Sequence, residues 1–219
     1  MEAKQVFILS YPRSGTNWTR YIIQHIYPEN IVGEAGNLNF IHHHLVEIMP
    51  DPEEFPLVFC LRNYRECVIR NTRKDHCTPV IDNRELTWEQ IIDIDRDKIT
   101  SDPGGTMSNY MRNIEIYDQW PGKKHLVRYE DMVEDPVSTI TELAWFLEVL
   151  PGEFLVDIDK HIESSLEFYA GYQGTYTEGK STRFHQYLVS EDVRHLLDKK
   201  IESFNPALYE KYLSQYATD

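Results

Sequence analysis

The opening segment constrains this chain more than any other feature: an apolar, β-branched run breaks into turn residues and then passes directly into a helical stripe. Gln5 to Ser10 (QVFILS) reads as a buried strand, and Tyr11-Pro12-Arg13-Ser14-Gly15 is turn chemistry. Beyond it, Trp18, Ile22, Ile23, Ile26 and Tyr27 recur at three- and four-residue spacing until Pro28, which predicts a helix of about three turns. Strand, loop and helix in immediate succession is the unit from which parallel sheets are wound.

The same grammar returns downstream. Pro56 to Leu61 (PLVFCL) predicts a second buried strand. His125 to Tyr129 (HLVRY), after the turn at Pro121-Gly122, predicts a third, which leads into Glu130-Asp131. Val137, Ile140, Ala144 and Leu147 mark the inner stripe of one helix. Ser190 with Glu191 and Asp192 reads as the cap and acidic first turn of another, with Val193, Leu197, Ile201 and Phe204 inward. The expected fold is α/β, a three-layer sandwich with a central, mostly parallel sheet flanked by helices, and 1–219 is one domain. The least regular stretch is 78–105, with seven acids against three bases, ending in Asp102-Pro103-Gly104-Gly105. It reads as a lid or acceptor-binding insertion over one end of the sheet, or equally as a solvated acidic face.

Lys plus Arg number 22 and Asp plus Glu 36, a formal charge of -14, which argues against nucleic acid and anionic membranes as partners. The three cysteines, Cys60, Cys67 and Cys77, form neither a disulfide framework nor a C-x-x-C pair, so a reducing compartment is expected. The short apolar run at Val6 to Leu9 makes neither a signal-peptide core nor a membrane span, and the expected location is cytoplasmic.

The turn after the first strand has the composition of an anion cradle. A helix N-terminus offers unpaired N–H groups. Gly15 permits close approach, Ser14, Thr16 and Asn17 add side-chain donors, and Arg13 adds a fork of fixed charge. An ordinary strand-to-helix turn would look similar. The nucleoside-triphosphate loop G-x-x-x-x-G-K-[ST] is not present, because the first Gly and the Lys-Ser/Thr pair are missing. A second segment strengthens the anion reading: Arg62 to Lys74 holds five bases and one acid in a strongly acidic chain, directly after the second strand. Glu66 and Arg70, four apart, would also suit simple pairing on a helix face. Arg62, at the end of a buried strand, needs a partner wherever it points.

These segments carry a family resemblance. SYPRSGTNW resembles the 5'-phosphosulfate loop of the cytosolic-type sulfotransferases, which use 3'-phosphoadenosine 5'-phosphosulfate (PAPS). LRNYRECVIR resembles their 3'-phosphate motif, and VRYEDMVEDPVSTITELAWFL is similar to their YED segment and following helix. The resemblance implies a P-loop-like α/β fold, PAPS as donor with adenosine 3',5'-bisphosphate (PAP) as product, no metal, and a small-molecule or glycan acceptor. It further implies that Arg13 stands for the loop lysine and stabilises the bridging oxygen, while Ser14, Gly15, Thr16 and Asn17 bind the phosphosulfate. Trp18 and Tyr129 would lie at the adenine, although both also suit a core role, and Arg62 would bind the 3'-phosphate. Arg70 stands where the motif has Ser, and Tyr64 where it has Pro. The C-terminal R-K-G-x-x-G motif is reduced to Gly179 with Lys180 and Arg183, either of which would replace the missing charge.

The family's catalytic histidine sits in K-T-H-L, and the matching segment is Ile41-His42-His43-His44-Leu45, which places the base at His44 and loses the lysine to His42. An imidazole suits removal of a proton from a hydroxyl or amine acceptor during in-line transfer. Three adjacent histidines also raise metal binding or a structural role, but consecutive side chains diverge and make a poor single-metal site. Two other functions are open: an ATP-dependent small-molecule kinase, which would need a Walker lysine that is absent, and a non-catalytic PAP- or PAPS-binding protein.

Overall fold

The computed structural model describes residues 6–26, 40–44, 50–76, 86–149, 157 and 189–218. Four strands, β1 (Val6–Ser10), β2 (Phe40–His43), β3 (Leu57–Leu61) and β4 (Lys124–Arg128), form one sheet in the order β2-β1-β3-β4, and each neighbouring pair is parallel. The expected α/β sandwich with a parallel sheet is what the chain forms. Because helices cover both faces, β1 and β3 are buried at every position and read as unbroken apolar runs.

Alternation along the strands sorts the core into two. Phe7, Leu9, Leu57, Phe59 and Leu61 face α2 (Tyr64–His76), α4 (Met107–Gln119), α7 (Glu191–Phe204) and α8 (Pro206–Tyr212). Val6, Ile8, Val58, Cys60 and Val127 face α1 (Thr16–Ile26), α5 (Tyr129–Glu134) and α6 (Pro136–Phe146). After β1 the chain goes to one side for β2, then returns past β1 for β3. The carboxyl ends of β1 and β3 therefore flank the point where the winding reverses, which is where open α/β sheets form ligand crevices.

Several expectations change. The third strand ends at Arg128, and Tyr129 opens α5 instead. The His run, to which the sequence assigned no strand, supplies β2, with its first two histidines on the strand. Within the acidic stretch, α3 (Trp88–Ser101) is a regular helix opened by a capping box between Thr87 and Gln90, and it buries Ile91 and Ile94. Glu89, Asp93, Asp97 and Asp102 are exposed, so over these residues the acids form a solvated face. Val137 (48% exposed) and Phe204 (39%) point outward, and Leu143 joins Ile140 and Ala144 in the core. Among the described residues no helix is long and apolar enough to cross a membrane.

The basic segment after β3 is α2, and it does not present one cationic patch. Arg65 turns away into a buried clamp, donating from Nε to Asp198 Oδ1 (2.8 Å) and from Nη2 to Asp198 Oδ2 (2.7 Å) and the Ala217 carbonyl (3.1 Å). The Tyr64 hydroxyl donates to the same carboxylate at 2.7 Å. The clamp fastens α7 and the C-terminal turn to α2, with bidentate geometry that an amide cannot reproduce. Asp198→Asn should lower stability by about 2 kcal/mol, seen as an earlier urea midpoint with unchanged slope.

Candidate functional site

The turn between β1 and α1 is built on left-handed backbone. Arg13 (φ 72°) and Gly15 (φ 86°) alternate with Ser14, the pattern from which anion-holding concavities of N–H groups are made. A left-handed arginine costs roughly 1–2 kcal/mol, a strain found mostly where function requires it. The Ser14 N–H closes the turn on the Tyr11 carbonyl (3.2 Å), and α1 begins with the Thr19 N–H on the Gly15 carbonyl (3.1 Å). Gly15 is required twice over, because a Cβ there would also lie 2.6 Å from Tyr129 Cδ2.

Arg62 reaches this loop from the end of β3. Its Nη1 donates to the Arg13 carbonyl (3.1 Å), its guanidinium lies 3.8 Å over the Tyr129 ring, and Nη2 meets Glu66 Oε2 at 3.5 Å. The residue is 5% exposed, and its Nε is a buried donor with no acceptor among the described residues. A buried guanidinium N–H of this kind seeks an oxygen, which an anion at the loop would supply. Glu66, fully buried, also receives Arg70 Nε at 2.6 Å, so the helix-face pairing left open by the sequence is formed and occupies that donor of Arg70. Trp18 meets Tyr129 edge-on with centroids 6.2 Å apart and packs on the apolar core beneath α1, so both aromatics have a structural role. Asn17 Oδ1 accepts from Arg20 Nη1 at 3.4 Å. Lys180 and Arg183 lie outside the described residues.

His44, at the end of β2, is held against the start of the loop. Its Nδ1–H donates to the Ser10 carbonyl at 2.7 Å, because a carbonyl can only accept. The neutral ring therefore keeps its lone pair on Nε2, the form a general base needs. The Asn109 amide donates to the His44 carbonyl (2.8 Å) and to the Gly104 carbonyl (2.9 Å), fixing the backbone on which the imidazole stands. The structure thus brings Arg13, Ser14, Gly15, Thr16, Trp18, Arg62, Tyr129 and His44 to one end of the sheet. Ser10 and Asn109 were not singled out from the sequence. Their roles depend on contacts 34 and 65 residues apart, for which local pattern holds no signal.

Glu130 follows Tyr129 and closes the floor, accepting the Asn63 N–H (3.0 Å) and the Tyr216 hydroxyl (3.0 Å). Burial pushes its carboxyl above the usual range, and the Asn63 hydrogen bond and the Arg62 charge work against that shift. Cys67, beneath the loop, contacts Ser14 Oγ at 3.4 Å. Burial pushes both the Cys60 and Cys67 thiols up to about 12. At pH 8 their thiolate fractions fall by about 10³-fold relative to free cysteine. In the native protein iodoacetamide should leave both unlabelled, and in urea it should label both, as read by peptide mass spectrometry.

No protein-family model matches the sequence, and no curated protein is significantly similar to it. Among solved structures 26 chains match. One, the crystal structure of mouse sulfotransferase SULT7A1 complexed with PAP, superposes with a TM-score of 0.57 at 14% identity, over 100% of this chain and 88% of that one. At that identity the likeness speaks for the architecture, and the chain has a sulfotransferase-like fold.

Proposed function

We propose that this sulfotransferase-like chain is a PAPS-dependent enzyme that moves a sulfuryl group to a hydroxyl or amine of a small-molecule or glycan acceptor by direct in-line attack. The observation that carries the reading is the meeting of two cationic elements across the sheet's switch point: the left-handed loop after β1 and Arg62 after β3, whose buried Nε has no acceptor among the described residues. The solved neighbour with this fold was crystallised with PAP, which supports the same ligand here.

The residues present fit such a donor. The loop amides with Ser14, Thr16 and Asn17 would hold its phosphosulfate end, on the left-handed backbone that Gly15 permits. Arg62 would hold the 3'-phosphate, with Arg70 beside it across Glu66, while Lys180 or Arg183 would complete that grip. Trp18 and Tyr129 would border the adenine. The donor supplies, when bound, a sulfuryl group activated by its anhydride to phosphate. Arg13 stabilises negative charge at the loop as the bond to the phosphate oxygen weakens. His44 takes the acceptor's proton at Nε2 and holds the acceptor in line. We place the acceptor under the 78–105 segment, treat 1–219 as one domain, and assign the protein to the cytoplasm.

Thermal melting tests the reading. Without metal, PAP at about 100 times its Kd should raise the melting temperature by roughly 5–10 °C. No shift, or a larger one with ATP and magnesium, would contradict the proposal, and the second result would favour a kinase.

A further inference from the structure

Arg62 meets the anion loop through the tip of its guanidinium, but the donor with no acceptor among the described residues is Nε, the nitrogen nearest the main chain. Where Nε points therefore depends on how the backbone at Arg62 is held. The peptide unit between Arg62 and Asn63 is gripped at both of its polar atoms. The buried Tyr110 hydroxyl donates to the Arg62 carbonyl at 2.6 Å, with the Cys67 thiol a distant second donor at 3.9 Å, and the Asn63 N–H donates to Glu130 Oε1 at 3.0 Å. The C=O and N–H of a planar trans peptide point in opposite directions, so partners on both sides fix its plane. Glu130 is held from behind in turn. Its Oε2 accepts the Tyr216 hydroxyl at 3.0 Å, and the oxygen of that hydroxyl accepts from Arg128 Nη1 at 3.2 Å. Asn63 also opens α2, its Oδ1 accepting the Arg65 N–H (2.9 Å) and its carbonyl the Cys67 N–H (3.0 Å).

We propose that Glu130 and Tyr110 are positioning residues that aim Arg62 Nε at the 3'-phosphate, and so set the preference for a nucleotide that carries one. The inference rests on reading Arg62 as the 3'-phosphate ligand. The tip contacts do not supply this aim. With Nη1 on the Arg13 carbonyl and the guanidinium over the Tyr129 ring, a shift of the stem pivots the group about its tip and turns the Nε–H away from the anion. Hydrogen bonds to charged groups are strong and weaken steeply with angle, so the misdirection is costly. The 5'-phosphate would meet the loop amides before α1, which the clamp on Asn63 does not touch.

The measurement is calorimetric titration of the full chain with PAP and with adenosine 5'-monophosphate, which lacks only the 3'-phosphate. Wild type should prefer PAP by roughly 100-fold, the order expected for a buried charge-assisted grip. Glu130→Ala and Tyr110→Phe should each lower that preference by about tenfold while holding the monophosphate affinity within about twofold. Glu130→Gln should keep the wild-type preference. It removes the same charge as Glu130→Ala but retains an oxygen for the Asn63 N–H, so the pair separates aim from electrostatics. If Glu130→Ala does not fold, Tyr110→Phe, which keeps the ring, carries the test. A preference unchanged in Tyr110→Phe and Glu130→Ala, an equal loss for both nucleotides, or a Glu130→Gln variant as impaired as Glu130→Ala would overturn the inference and leave the proposed function standing. A wild-type chain that binds the two nucleotides equally would remove Arg62 as the 3'-phosphate ligand, and both readings would fall with it.

Discussion

His44→Ala should lower sulfuryl transfer by about 10³-fold while leaving PAP affinity within about twofold, because a positioned base contributes about 10²–10⁴ to such a step. The two effects separate for a geometric reason. His44 bonds to Ser10 at the end of β1, and the cationic grip on the nucleotide comes from the opposite neighbour of β1. His44 is itself half-buried, so water can enter the space that its imidazole leaves and satisfy the Ser10 carbonyl, and the fold should tolerate the change. The assay is transfer of label from sulfur-labelled PAPS to a panel of alcohols, phenols, amines and sugars. Unchanged turnover would remove His44 from the chemistry. Parallel loss of PAP affinity would make it a structural residue of the loop.

Gly15→Ala should be strongly destabilising although it adds a single carbon. The position sits at φ 86°, where an L side chain costs about 1–2 kcal/mol, and the new Cβ would fall 2.6 Å from Tyr129 Cδ2. Displacing a packed ring costs typically about 1–3 kcal/mol more. The expected loss is therefore about 3 kcal/mol, or roughly 6–12 °C in melting temperature. The ring cannot retreat cheaply, since Arg62 lies over its face and Trp18 meets its edge. Movement there also shifts Arg62, so PAP affinity should fall along with stability. Combining Gly15→Ala with Tyr129→Leu should recover the steric part alone and leave the backbone part, a non-additivity that identifies the contact. A melting temperature equal to wild type would contradict the account of the loop.

The parts of the molecule visible in its sequence share a physical cause. β1 and β3 are covered on both faces, so their apolar runs are continuous, and the loop between β1 and α1 carries its backbone demands in Pro12 and Gly15. β2 escaped detection because Phe-Ile-His-His is short and half polar, and edge strands need less apolar content. Tyr129 looked like the end of a strand by β propensity, but the acidic first turn of Glu130 and Asp131 draws it into α5. The bases of α2 looked like one cluster because sequence shows proximity along the chain and not the direction of side chains. Arg65 and Arg62, three apart, serve different partners, one of them Asp198 at a separation of 133 residues. The helix stripes were placed correctly in period but drifted at their ends. Val137 and Phe204 fall at the first and last turns, where the inward arc of a helix meets solvent.

The account's central claim is that two elements flanking the switch point, the loop of residues 11–17 and Arg62, together hold one nucleotide carrying two anions. The most direct test is a crystal structure of the full chain with PAP. The account predicts the 5'-phosphate against the backbone amides of Ser14 to Asn17 and a 3'-phosphate oxygen within hydrogen-bond distance of Arg62 Nε. A nucleotide bound elsewhere, or a saturating soak that leaves this crevice empty, would contradict it.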